Sequence, residues 1–232
     1  MNVLIVYNSM EYVWHRRFFI DALLAQGHEV VAAAPYDGWE DKVAQLGIGR
    51  RNIRVWPSGA NPLQDLITFR DLYRTMRAEK PDVVMLYTIK PVVYGSMAAR
   101  MLGIRRVLSV MAGGRYDRIC HALYWASLRF NEKVFFQNPD DLQMFTEKGV
   151  VKDKITVRVP GSGVDTQLFA PEPQAAENGH FLLVSRMLWD KGIDIYVAAA
   201  RRLKMSVASI GSSCSSPSWT VIRTISWETA WP

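Results

Sequence analysis

Residues 82–110 read DVVMLYTIKPVVYGSMAARMLGIRRVLSV, and the fold class is indicated most clearly here. An apolar run at 82–87 predicts a strand, and residues 91–102 predict a helix that Gly103 closes. Residues 106–110 then predict a second strand. Both strands are apolar on both faces, which is typical of strands buried inside a parallel sheet. The stretch therefore predicts a βαβ unit.

The same alternation runs through the first 160 residues of a domain that is predicted to span residues 1–165. Further strands are predicted at residues 3–7, 29–34, 53–56, 133–137 and 155–159. Further helices are predicted at 14–26, 39–46, 61–79, 119–130 and from Asn138 onward, where an asparagine, a proline and two acids suit a helix start. Seven apolar strands alternating with helices predict a doubly wound, Rossmann-like α/β domain with a parallel sheet covered on both sides.

A second domain is predicted to begin after this one. Residues 160–165 break the alternation, residues 166–179 are a predicted linker, and residues 180–204 begin a second Rossmann-like domain. In it, a strand at 181–185 is followed by a loop and by a helix at 193–204. With a single βα unit, the strand at 181–185 is expected to have no pairing partner in its own domain.

The composition changes abruptly at residue 205. Residues 205–232 hold eight serines and three tryptophans but only one arginine and one glutamate, without helical period or strand alternation. This change favours translation out of frame, so that the chain is truncated early in its second domain. The alternative is a genuine but unusual C-terminal tail. Either way, we expect this tail to be poorly ordered.

The composition excludes several classes of protein. Apolar residues make up 49% and charged residues 22%, as in ordinary globular proteins. The net charge of +6 is spread out, so no nucleic-acid partner is expected, but anionic small molecules or an anionic membrane surface are favoured. The two cysteines are far apart, which indicates a reducing compartment and neither a disulfide framework nor a zinc site. Without a signal peptide or an 18-residue apolar run, the protein is predicted to be cytoplasmic, and a peripheral contact with the inner face of the membrane stays open.

Doubly wound sheets bind ligands beyond the carboxyl ends of their strands, so the loops there are candidate sites. The loop after the first strand, which contains Ser9, has no glycine, and this argues against a dinucleotide-dependent epimerase or reductase. Lys90 precedes a predicted helix, where an anion could bind or the lysine could simply be solvated. Gly113 and Gly114 let the backbone either approach a ligand or turn.

A sharper pair of cations lies in the predicted second domain. Arg186 follows a strand and Lys191 precedes a helix, so both can converge on a diphosphate. Taken without context, such a pair is more often plain surface charge.

Several separated segments resemble family 4 glycosyltransferases of the GT-B fold, especially the bacterial members that build surface polysaccharides. The second-domain segment at 184–194 is similar to the opening of that family's C-terminal domain. The other segments stand in the family's order, at residues 14–18, 27–30, 87–91, 94–96, 136–141 and 161–169. The resemblance covers about residues 1–204.

The resemblance implies transfer of a sugar from a nucleotide-sugar donor to a glycan or lipid-linked acceptor, with retention of configuration. It implies that Arg186 and Lys191 neutralise the donor diphosphate and the leaving group without a metal or cofactor. It further implies that Ser9, Lys90, Gly113 and Gly114 line the cleft on the acceptor side.

The sequence departs from the family at two places. A Thr-Gly-Leu-Gly pattern is expected where residues 112–115 read AGGR, and no Glu-x7-Glu motif for the donor sugar follows residue 204. We therefore expect impaired transfer, and a non-catalytic Rossmann-like binding module is the alternative. The residues do not indicate which sugar, nucleotide or acceptor is used.

Overall fold

The computed structural model of the chain describes residues 1–56, 59, 61–111, 118–152, 155–161, 163–167, 169–170, 181–185, 189–210 and 219–223. At 118–119, 181–182, 184, 190, 203–210 and 219–223 only the backbone is described. The chain divides into two compact units, Met1–Gly163 and Val164–Pro232. Each unit is described by itself.

The first unit alternates strands and helices throughout. Its strands are β1 (Asn2–Val6), β2 (Glu29–Ala34), β3 (Gly49–Asn52), β4 (Val83–Tyr87), β5 (Arg106–Met111), β6 (Lys133–Phe136) and β7 (Thr156–Arg158). Its helices are α1 (Met10–Trp14), α2 (Arg17–Ala25), α3 (Glu40–Ala44), α4 (Pro62–Glu79), α5 (Ile89–Met101), α6 (Arg118–Leu128) and α7 (Pro139–Glu147).

All seven strands form one parallel sheet in the order β3-β2-β1-β4-β5-β6-β7. The predicted doubly wound, Rossmann-like fold is therefore confirmed. The strand order reverses between β1 and β4, which pair with Val6 opposite Leu86. In open α/β sheets, a crevice forms outside the carboxyl ends of the strands at such a switch point.

Two apolar cores cover the two faces of the sheet because successive side chains of a strand point to opposite faces. Leu4 and Val6 of β1 join the core packed beneath α4, α5, α6 and α7. Val3 and Ile5 join the core packed beneath α1, α2 and α3. Strands with both faces buried produce the continuous apolar runs that made the sheet predictable.

Side-chain caps set the start of two helices where the sequence predicted them. Asn61 Oδ1 accepts from Leu63 N at 3.0 Å, and Pro62 occupies the first position of α4. Asn138 Oδ1 accepts from Asp141 N at 2.7 Å, while Asn138 Nδ2 donates to Asp141 Oδ2 at 2.7 Å. These bonds satisfy amide groups that have no partner within the helix.

Three predicted elements of the first unit are corrected by the structure. β3 lies at Gly49–Asn52 and not at 53–56, because this edge strand is half exposed and carries charged residues instead of an apolar run. The helix predicted at 14–26 begins only at Arg17, since a separate helix, α1, is capped by Ser9 and ends at Trp14, and the chain breaks at His15 and Arg16. The helix predicted from residue 91 begins at Ile89. Pro91 fits its first turn, where amide groups have no intrahelical partner.

The second unit holds β8 (Phe181–Ser185), a 3₁₀ turn (Trp189–Lys191), α8 (Ile193–Ile210) and β9 (Trp219–Arg223). The expectation that the strand at 181–185 has no partner is wrong, since β8 pairs in parallel with β9, Leu183 opposite Val221. α8 also continues six residues past the predicted end at residue 204. Segment 219–223 reads WTVIR, and its aromatic and β-branched residues favour a strand despite the unusual composition around it.

Candidate ligand site at the carboxyl edge of the sheet

Two stacked tyrosines mark the switch point between β1 and β4. Tyr7 follows β1 and Tyr87 ends β4, and their ring centroids lie 4.1 Å apart with the planes 11° from parallel. Arg16 Nε donates to the Tyr7 hydroxyl at 2.8 Å, and Arg16 Cζ lies 5.8 Å from the centroid of the Tyr87 ring. A guanidinium and two phenols therefore meet at the place where this fold binds ligands.

Burial keeps both phenols protonated to a higher pH than an exposed tyrosine. It raises the pKa of Tyr87 to about 12, against the attraction of the Arg16 charge. Burial also raises the pKa of Tyr7, the Tyr87 phenol adds to that rise, and the hydrogen bond from Arg16 opposes it. At neutral pH the pair consequently presents hydroxyl groups and no negative charge of its own.

Thr88 has a strained backbone immediately after β4. Its φ of 65° and ψ of 160° lie in a region that is essentially restricted to glycine. Its Oγ1 atom is buried and has no hydrogen-bond partner among the described residues. A strained, β-branched residue with an unused hydroxyl at a switch point indicates a binding position, because such strain persists only where surrounding structure enforces it.

Lys90 lies in the first turn of α5 and is largely buried. Its Nζ atom lies 2.8 Å from Asp65 Oδ1 of α4, with the two side chains 13% and 15% exposed. The alternative that Lys90 is simply solvated is therefore wrong. Tyr94 also bonds to Asp65, and burial together with that carboxylate raises the pKa of the Tyr94 phenol. An anion approaching Lys90 has to compete with Asp65.

Ser9 connects the loops that follow β1 and β2. Its hydroxyl donates to Asp37 Oδ2 at 2.5 Å and accepts from Glu11 N at 3.1 Å. Glu11 N also lies 3.4 Å from Asp37 Oδ2. Ser9 thus caps α1 and fixes Asp37 beside the same edge of the sheet.

The remaining candidates are divided between the second unit and residues outside the described ranges. Gly113, Gly114 and Arg186 are not among the described residues. Lys191 is exposed and ends the 3₁₀ turn directly before α8, which begins at Ile193 as predicted. The amide groups at the start of this 18-residue helix are oriented to favour an anion.

Sequence reasoning missed four residues of the carboxyl edge: Tyr7, Arg16, Asp37 and Asp65. A signal was available for Tyr7, because a polar aromatic residue ends the apolar run at 3–6 just as Tyr87 ends the run at 83–86. The contacts of Arg16, Asp37 and Asp65 join separate elements and leave no local pattern.

The described residues contain neither a group of side chains suited to a metal ion nor a membrane-spanning helix. No three His, Cys, Asp or Glu side chains there are grouped so that they could hold a metal ion. None of the helices in those ranges combines the length and the apolar character needed to cross a bilayer.

Comparison with known proteins identifies sequence and structural relatives. The sequence model described as Glycosyltransferase Family 4 matches residues 15–168. An N,N'-diacetylbacillosaminyl-diphospho-undecaprenol alpha-1,3-N-acetylgalactosaminyltransferase of Campylobacter jejuni is 22% identical over 218 residues, covering 83% of this chain and 58% of that protein. The chain therefore spans less than two thirds of the length of this curated relative.

Solved structures show the same fold at low sequence identity. A glycosyltransferase from Rickettsia africae has a TM-score of 0.65 at 15% identity, covering 87% of this chain and 57% of its own. A UDP-GlcNAc 2-epimerase from Methanocaldococcus jannaschii has a TM-score of 0.63 at 18% identity, covering 99% of this chain and 67% of its own. Because transferases and epimerases share this fold, the fold alone does not distinguish the two activities.

Proposed function

This chain belongs to glycosyltransferase family 4, and from that premise we propose that it serves the transfer of a sugar from a nucleotide-sugar donor to a glycan or lipid-linked acceptor. The family match over residues 15–168 carries the proposal. The Campylobacter jejuni relative is named for a diphospho-undecaprenol-linked sugar as its acceptor, and this supports a lipid-linked acceptor.

The acceptor is assigned to the switch point of the first unit. Tyr7, Tyr87 and Arg16 present phenol and guanidinium groups that can hydrogen-bond to sugar hydroxyls or an acceptor phosphate. The unused Thr88 hydroxyl lies directly beyond Tyr87. Ser9 and Lys90 follow β1 and β4 at this edge, so we place them around the acceptor. Gly113 and Gly114 lie outside the described residues and are assigned to the acceptor by the family resemblance alone.

The donor is assigned to Arg186 and Lys191. In the transfer, the bond from the anomeric carbon to the diphosphate oxygen breaks and a bond to the acceptor oxygen forms. The bonding electrons leave with the nucleoside diphosphate, and the proton of the acceptor hydroxyl passes to the departing diphosphate oxygen. Arg186 and Lys191 would stabilise the negative charge on the leaving diphosphate without a metal. Retention of configuration is part of this proposal and follows from the family resemblance.

Contact with a membrane surface is supported by exposed aromatic and basic groups on α1 and α2. Phe18 and Phe19 are 50% and 39% exposed at the start of α2. Arg17 Cζ lies 4.4 Å from the Phe18 ring centroid and 5.4 Å from that of Trp14. Exposed aromatics beside a cation are typical of surfaces that insert shallowly into anionic lipid headgroups.

The transfer is tested with radiolabelled UDP-N-acetylhexosamines and an undecaprenyl-diphosphate-linked sugar as acceptor. Lys191→Gln and Arg186→Gln are each expected to reduce transfer about ten- to a hundredfold, since each removes a charge-assisted phosphate contact. Arg158→Gln, which removes an exposed charge from β7, is the matched control. Binding of UDP without transfer in the unsubstituted chain would favour the non-catalytic binding module instead.

The membrane contact is tested separately by flotation with vesicles containing an anionic phospholipid. Phe18→Ser with Phe19→Ser is expected to reduce the bound fraction severalfold. Met101→Ser removes a comparably exposed apolar side chain from another helix and is the control. Equal losses in both variants would show that the α2 surface has no special role.

A further inference from the structure

A basic cavity lies at the edge of the seven-stranded sheet opposite the carboxyl edge. Its volume is about 540 Å³, and it is formed where α4 and α5 end and where β4 and β5 begin. Four cationic side chains line it, with one carboxylate among them: Arg77, Lys80, Arg105 and Arg106, and Asp82. The strands begin at this edge, so the cavity is separate from the carboxyl-edge site.

The four cations have no carboxylate partner among the described residues. The ion pairs of the first unit engage other arginines, such as Arg51 with Glu79 at 2.6 Å and Arg54 with Asp71 at 2.8 Å. Arg106 makes a weak contact with the thioether of Met1 at 3.4 Å. Asp82 accepts the amide of Asn2 at 2.8 Å, which occupies one of its oxygens.

The main chain already provides hydrogen bonds to carbonyl groups at the ends of α4 and α5. Positive side chains often neutralise the carbonyl groups that end a helix. Here the main chain already does so: Lys80 N donates to Met76 O at 3.0 Å, and Ile104 N donates to Ala99 O at 2.9 Å. Lys80 has a left-handed backbone with φ of 46°, which closes α4. The charged ends of the four side chains thus remain available.

We propose that this cavity binds a phosphate-bearing anion, with a diphosphate group as the chemistry that fits it best. Guanidinium and ammonium groups that line one open cavity suit the negative charge and the several oxygen atoms of a diphosphate. The volume falls within the range of small-ligand sites. The anion is either a free metabolite or a lipid headgroup. The inference goes beyond the proposed transfer because the cavity lies where β4 and β5 begin, at the edge of the sheet opposite Tyr7 and Tyr87.

The test is calorimetric titration with inorganic diphosphate at low ionic strength. Arg105→Gln is expected to weaken binding about tenfold or more. Asp82→Asn is expected to tighten it severalfold, because the only carboxylate of the lining repels the anion. Arg74→Gln removes an exposed charge from the same helix as Arg77, outside the lining, and is expected to change affinity less than twofold.

Titrations in a Lys191→Gln background separate this cavity from the proposed donor site. Persisting binding that still depends on Arg105 supports the cavity even if Lys191 proves irrelevant to transfer.

Vesicles with and without an anionic phosphate headgroup distinguish the two sources of the anion. Arg105-dependent flotation identifies a lipid, and Arg105-dependent diphosphate binding without flotation identifies a free anion. Absence of both, or equal effects of Arg74→Gln and Arg105→Gln, would overturn the proposal. Circular dichroism verifies that each variant is folded.

Discussion

At the level of single residues, the backbone of Thr88 is strained. A left-handed φ at a β-branched residue costs about 1–3 kcal/mol, and the buried hydroxyl gains no bond among the described residues. Thr88→Gly removes the strain but adds about 1 kcal/mol of unfolded-chain entropy. We therefore expect a free energy of unfolding that is unchanged or up to about 2 kcal/mol higher, measured by urea denaturation. A large loss of stability would contradict the strain argument.

A second variant separates the strain from the hydroxyl. Thr88→Val keeps the branched shape and the strain but replaces the unpaired oxygen by a methyl group. It is expected to change stability by less than about 1 kcal/mol, because no hydrogen bond is lost. If the hydroxyl contacts the acceptor, both variants lower transfer.

The raised pKa of Tyr87 is expected to make the free energy of unfolding fall as the pH becomes alkaline. The unfolded chain releases the phenolic proton near its ordinary pKa of 10.0, whereas the folded chain holds it until about 12. Above pH 10 the folded state therefore binds more protons than the unfolded state, and the free energy of unfolding falls as pH rises. The window between the two pKa values corresponds to about 3 kcal/mol.

Tyr87→Phe is expected to remove this part of the alkaline loss. Urea denaturation near pH 9 and again near pH 11.5 should show about 2 kcal/mol less loss in the variant than in the unsubstituted chain. Tyr36→Phe, at an exposed position outside the site, controls for loss of a tyrosine. Identical pH dependence in the Tyr87→Phe variant and the unsubstituted chain would rule out the assignment.

At the scale of elements, α5 packs tightly against β4 because Gly95 has no side chain. A Cβ atom at Gly95 would lie 2.6 Å from Leu86 Cδ2, and Leu86 is fully buried. Gly95→Ala gains about 1 kcal/mol of helix propensity but forces the packing apart. We expect a net loss of about 1–3 kcal/mol in thermal or urea unfolding.

Two further variants test that packing. Ser96→Ala on the next residue of α5 should be neutral or slightly stabilising, since Ser96 Oγ is buried without a hydrogen-bond partner among the described residues. Combining Gly95→Ala with Leu86→Ala should cost less than the sum of the single changes. Additive losses would mean that Gly95 acts through something other than Leu86.

At the level of the whole molecule, the two-stranded sheet of the second unit forms only if β9 pairs with β8. β8 and β9 pair only with each other among the described strands. Thr220→Pro with Val221→Pro removes two adjacent amide donors, so at least one ladder bond is lost. Hydrogen exchange of the β8 amides should then accelerate, while β1 and β4 in the other sheet keep their protection. Unchanged protection of β8 would contradict the pairing.

The sequence by itself determined the architecture of the first unit. Apolar runs such as residues 3–6 predict buried strands, and Asn61 and Asn138 predict helix starts. Both signals are local, because periodicity and capping depend on residues close together in the chain. The family resemblance could likewise be seen from short local motifs. The match over residues 15–168 confirmed that resemblance.

Which side chains contact one another depends on the tertiary structure. Strand order places Tyr7 on Tyr87, eighty residues away, and the packing of α4 against α5 gives Lys90 its partner Asp65. The edge position of β3 and the pairing of β8 with β9 also depend on neighbours distant in the chain. No local period encodes these contacts, because burial and strand order arise only when the whole unit is assembled.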